Sequence, residues 1–149
     1  MNRMSTIMLF LACGLTACGG EEKFVTFDKE LQHENGLRVS RPVGFDDQKT
    51  ESGFVFSEIG GRRTPRTLSV EKADSRPDLI GAKERTLGNT IAHFTVTDLG
   101  SGSGGTEYEL KASKASGSSW VVISEISQIE GDAPEFTIGW AVLENAQLR

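Results

Sequence analysis

Thr106-Glu107-Tyr108-Glu109-Leu110-Lys111-Ala112-Ser113, followed by Gly117-Ser118-Ser119 and Trp120-Val121-Val122-Ile123, is the stretch from which the fold is read. Its first eight residues alternate in polarity, with Tyr108 and Leu110 facing inward, as a half-buried strand requires. Gly117 to Ser119 supply a turn. Trp120 to Ile123 is apolar on both faces and reads as a central strand covered on both sides. Its continuation, Ser124 to Ile129, is more polar. Two adjacent strands joined by a short turn point to an antiparallel sheet, and the rest of the chain is read around them.

Toward the N-terminus the same period recurs. Order is expected to begin near Phe24 to Phe27. Leu37 and Val39 alternate with Arg38 and Ser40 in a strand that Pro42 ends. Gly44 to Thr50 reads as a polar turn, Phe54-Val55-Phe56 as a strand and Gly60-Gly61 as a turn. Leu68 and Val70 alternate with Ser69 and Glu71 in a further strand. Asp74 to Gly81, with Pro77, is a loop. Thr86 to Leu99 sets Ala92, Phe94 and Val96 opposite His93, Thr95 and Thr97, and Gly100 to Gly105 is a flexible connection.

Toward the C-terminus the period lengthens. Phe136, Trp140, Leu143 and Gln147 share one helical stripe, with Asp132 as N-cap, Pro134 in the first turn and Glu135 three residues after the cap. Gly139 lies inside this helix at a cost of up to about 1 kcal/mol relative to Ala, unless close packing requires it. The expected fold class is α+β: an antiparallel β-sheet sandwich of five to seven strands with a C-terminal helix packed on one face.

The N-terminal segment carries an address. Arg3 supplies a positive charge, Ile7 to Leu11 with Ala12, Cys13 and Leu15 an apolar run, and Leu15-Thr16-Ala17-Cys18 a small-residue exit. The run falls short of the roughly 18–20 residues that span a bilayer. Leu-Thr-Ala-Cys resembles a bacterial lipoprotein signal, in which the peptide is cut before a cysteine that then carries acyl chains such as palmitate. The competing reading is an ordinary cleaved signal with an incidental cysteine. The expected organisation is a signal peptide over 1–17, an acylated Cys18 with a tether over 18–27, and one globular domain over 28–149. Several acyl chains would anchor it stably, at about 0.8 kcal/mol per buried methylene. Gly19 after the cysteine points, by that resemblance, to the outer membrane facing the periplasm.

Removing residues 1–17 leaves 132 residues, enough for a single core, with 15 basic and 21 acidic side chains. A balance of −6 disfavours nucleic acid and suits a basic protein partner. With Cys13 removed and Cys18 acylated, no thiol remains for a disulfide, a thiolate nucleophile or a zinc site. No cofactor is expected.

Gly100, Gly102 and Gly105 fit G-x-G-x-x-G, but a strand follows where a dinucleotide site needs a helix. His33, in the entry segment, and His93, on the polar side of its strand, are read as exposed histidines with no special role, and no serine lies in a nucleophile elbow. Glu125 with Glu130, or Asp46 with Asp47, could supply a glycosidase's two carboxylates, but solvated strand ends and loops are the preferred reading. Arg62, Arg63 and Arg66 form the one basic cluster, whose counterpart is left open among a peptidoglycan carboxylate, a lipid phosphate and an acidic patch.

The run Gly104 to Leu110, then Trp120 to Ile123, Pro134-Glu135-Phe136 and Gly139 to Leu143, resembles the periplasmic immunity lipoproteins that protect type VI secretion bacteria from a muramidase effector. Gly36 to Phe45 also resembles small lipoproteins with a PsbP-like sandwich. The first resemblance implies a non-enzymatic binder that plugs the groove of a cell-wall-cutting enzyme with polar and acidic residues. It places Asp46 and Asp47 after the first strand, Glu125, Ser127, Gln128 and Glu130 at the polar end of the central strand, and Ser57 and Glu58 at a strand exit. The second implies a housekeeping envelope lipoprotein with an assembly or ligand-binding role.

Overall fold

The computed structural model describes residues 24–60 and 64–149. Its strands are β1 (Phe27–Gln32), β2 (Leu37–Pro42), β3 (Phe45–Lys49), β4 (Gly53–Glu58), β5 (Thr67–Ala73), β6 (Lys83–Leu87), β7 (Thr90–Gly102), β8 (Gly105–Ser116) and β9 (Ser119–Ile129). Helix α1 (Thr137–Asn145) and the short β10 (Gln147–Leu148) complete it. A seven-stranded sheet runs in the order β3-β4-β5-β9-β8-β7-β6, and a three-stranded sheet in the order β1-β2-β10. Pairing between these strands is antiparallel throughout. The α+β sandwich with its C-terminal helix is thus the observed fold.

Alternation decides which side of the large sheet is dry. Phe54, Phe56, Leu68, Val70, Ile123 and Leu110 point to one face and are buried, where α1 and β2 cover them. Each such side chain contributes roughly 1.5–3 kcal/mol by leaving water. The opposite, outer face carries Ser57, Ser69, Ser124 and Thr95, all accessible to solvent.

Several local expectations are corrected. Gly44 to Thr50 is not a turn: only Val43-Gly44 turns, and buried Phe45 anchors β3 as an edge strand. Thr86 to Leu99 is two strands, because Gly88 takes φ +57° in the turn between β6 and β7. Gly100 to Gly105 is a hairpin end, with Gly102 paired to Gly105. β9 is the fourth of seven strands and so central, but it alternates buried and half-buried residues and is covered on one face only.

The helix is also shorter than its stripe suggests. Phe136 occupies the N-cap position in a left-handed conformation (φ 52°), so Asp132 is not the cap, and Gln147 belongs to β10. His33 is buried, not exposed. Its Nδ1 accepts the Asn35 N–H at 3.2 Å, which leaves Nε2 to donate to the Thr50 carbonyl at 3.0 Å. That histidine locks the β1–β2 turn to the β3–β4 turn. The signal peptide, Cys18, Arg62 and Arg63 lie outside the described residues.

Candidate functional site

The eight residues expected to meet a partner divide between the two faces of the large sheet. Strand register places Asp46 directly across from Ser57, and the same row continues through Thr67, Ile126, Glu109 and Thr97. This outer row crosses six strands, about 24 Å at roughly 4.8 Å per strand. Gln128 lies on the same face, opposite Glu107 and next to the β7–β8 hairpin end; its amide reaches the Gly105 carbonyl at 3.4 Å and the Thr64 hydroxyl. Glu130 is exposed just beyond β9. Asp46, Ser57, Gln128 and Glu130 therefore belong to one accessible end of the molecule.

Asp47, Glu58, Glu125 and Ser127 point the other way. Asp47 accepts a hydrogen bond from Arg41 at 2.6 Å and lies 3.6 Å from Lys29, tying β3 to the small sheet. Arg41 also grips Asp28 and holds its carboxyl below the ordinary range. Glu58 accepts the Arg66 backbone N–H at 3.2 Å. Ser127 is buried beside Glu125 on the inner side.

Glu125 is the most constrained of the set. Its side chain is 1% exposed, and one oxygen accepts the Gly139 N–H at 2.7 Å inside the first turn of α1. The other oxygen lies 3.3 Å from Arg66 Nε, near enough to pair electrostatically but not aligned for a hydrogen bond. Burial pushes this carboxyl above its ordinary value, and Arg66 and the Gly139 amide pull it partly back. A carboxylate under a helix N-terminus is also favoured by the helix dipole. At the far end of α1, Lys114 Nζ donates to the Glu144 carbonyl at 2.8 Å, and burial lowers its pKa. Two inward charges of opposite sign thus hold the two ends of one helix. The inward position of Glu125 was not legible, because Trp120 to Ile123 is apolar at every position and conceals the phase of the strand; Lys114 likewise carried no signal.

A cleft of about 940 Å³ opens beside the Glu125–Arg66 pair, between Val43, Phe136, Ile138 and Phe24. The carboxylate pairs weighed from the sequence do not come together as a glycosidase needs. Glu125 and Glu130 are five residues apart along an extended strand, roughly 17 Å, well beyond the ~5–9.5 Å between a glycosidase's carboxyls. Asp46 and Asp47 face opposite sides of β3. Glu84 lies 3.7 Å from His93 Nδ1 and Ser113 sits directly across from His93, but the Ser113 hydroxyl is buried and makes no hydrogen bond to that ring. The nucleophile-to-base link of a triad is missing. No group of three or more His, Cys, Asp or Glu is placed to hold a metal ion among the described residues. Gly100, Gly102 and Gly105 lie at a hairpin end with strand β8 following, so no helix N-terminus faces a phosphate.

The accessible sheet end is acidic and hydroxyl-lined, with Asp46, Glu130, Ser57 and Gln128 on it. The family profile of the type six secretion immunity 3 domain matches residues 38–147, and the chain belongs to that family of type VI secretion immunity proteins. Among its relatives, the Immune protein Tsi3 of Pseudomonas aeruginosa (strain PAO1) is 44% identical over 147 residues, covering 98% of this chain and 100% of the relative. A crystal structure from Bacteroides thetaiotaomicron VPI-5482 superposes with a TM-score of 0.61 at 15% identity over 83% of this chain. The chain spans 49% of that larger one, and the likeness concerns the fold alone.

Proposed function

We propose that this protein is a lipid-anchored periplasmic immunity protein that binds a cognate secreted peptidoglycan-cutting effector and blocks its substrate groove. Membership of the immunity family over residues 38–147 is the observation that carries the reading. The sheet end bearing Asp46, Ser57, Gln128 and Glu130 is the contacting surface. Its carboxylates and amide take the places of substrate polar groups in a muramidase cleft. Asp47, Glu58, Glu125 and Ser127 hold that surface from behind. Acylated Cys18 stations the domain on the outer membrane, facing the wall that the effector attacks.

The test pairs deletion with inhibition. Cells lacking the gene are expected to be lysed by sister cells that deliver the effector, and the purified chain is expected to stop wall cleavage by the captured enzyme. Unchanged survival together with unhindered cleavage would overturn the reading. Replacing Cys18 with Ser should release the protein from the membrane fraction; if it stays bound, the lipid anchor is wrong even where immunity stands.

A further inference from the structure

The edges of both sheets are defended unevenly. An open edge presents unpaired N–H and C=O groups to any passing strand, and charged residues are the usual protection. β1 carries Asp28, Lys29 and Glu30; β3 carries Asp46, Asp47 and Lys49; β6 carries Lys83, Glu84 and Arg85. β7 is different. β6 covers it only from Thr90 to Phe94, while β7 itself runs on to Gly102. Beyond Phe94, no other strand pairs with this side of β7 among the described residues.

The uncovered stretch Thr95-Val96-Thr97 is uncharged and wholly β-branched, a composition that favours pairing in a sheet. Val96 and Leu99 are 43% and 46% exposed, although Val96 points to the face that elsewhere is dry. A register shift between Asp98 and Gly100 ends the regular edge, with the Asp98 carboxylate accepting the Gly100 N–H at 2.8 Å. The open edge is therefore short and bounded, with an acidic residue at its end.

We infer that the Thr95–Asp98 edge of β7 accepts an extended segment of the effector as an added strand. The inference rests on the immunity reading and specifies how the partner is held. Backbone hydrogen bonds would supply the contact, and an alternate apolar side chain of the incoming strand would cover Val96. Exposed Asp98, on the same face of β7 as Val96, selects a strand bearing Lys or Arg, whereas Glu109 on β8 is already paired with Lys111 at 3.3 Å. A second copy of this chain fits less well, because the chain carries a net charge of −5 and like-charged copies repel. The edge continues the row that contains Asp46, Ser57 and Thr97, so one partner can engage both.

Hydrogen–deuterium exchange of the full chain tests this, alone and in complex with the wall-cutting enzyme whose activity it blocks. The amides of residues 95–98 that point away from β8, every second one along the strand, are expected to exchange at least ~10-fold more slowly in the complex. Val96→Lys and Thr97→Lys, both on exposed positions, should each weaken the complex about tenfold or more without lowering Tm. A complex that forms and inhibits while these amides stay unprotected overturns strand addition and leaves the immunity reading intact. Absence of any complex or neutralisation overturns both. Protection that grows with protein concentration in the absence of effector assigns the edge to a second copy and overturns the inference.

Discussion

Glu125 shows how one side chain can look like a binding residue and serve as a structural one. It sits between Leu68 and Leu110 on adjacent strands, where a hydrocarbon would be expected, and is kept there by the Gly139 amide and Arg66. Glu125→Ala removes the acceptor and leaves a buried N–H and a half-buried cation without their partner. It should destabilise the fold by about 2–4 kcal/mol, measured by urea denaturation. The pH dependence follows from the raised carboxyl. Because the folded state holds this proton more tightly than the unfolded chain, Glu125 stabilises most below its ordinary range near 4.5, and that contribution is lost as pH rises through the raised folded value. Relative to Glu125→Gln, the unsubstituted protein should lose stability as pH rises from the ordinary carboxyl value through the raised folded one. A difference between the two that does not change with pH would refute this.

At the scale of the element, α1 depends on close approach. A Cβ on Gly139 would collide with the Glu125 carboxylate and sit 3.3 Å from both Ile123 and Leu110. Gly139→Ala gains up to about 1 kcal/mol of helix propensity but displaces the Glu125 acceptor. It should lower stability by roughly 1–3 kcal/mol, read as a drop in Tm. The glycine was visible in the sequence as an apparent flaw in a helix, with close packing as its one justification. The helix start was not visible, because the capping group comes from β9, far away in the chain. A local capping pattern at Asp132 was therefore misleading: the true acceptor reaches the helix only after the sheet is assembled.

Over the whole molecule, function depends on which face each strand residue takes. If the outer end is the contact surface, Asp46→Lys together with Glu130→Lys should slow association with the effector about tenfold at low salt, with little change in Tm. Stopped-flow binding at two ionic strengths measures it; an unchanged association rate moves the contact elsewhere. Alternation alone was enough to establish an antiparallel sandwich with a C-terminal helix, since period-two and period-3.6 patterns are local properties of the chain. The cysteine count also showed that no cysteine follows Cys18 in the sequence. Sequence could not sort Asp46 from Asp47, or Gln128 from Ser127. Neighbours on one strand face opposite ways, and only pairing to β4 and β8, with α1 laid over one side, decides which is buried. The open edge of β7 was equally hidden, because it exists only where β6 stops and no other strand among the described residues takes its place.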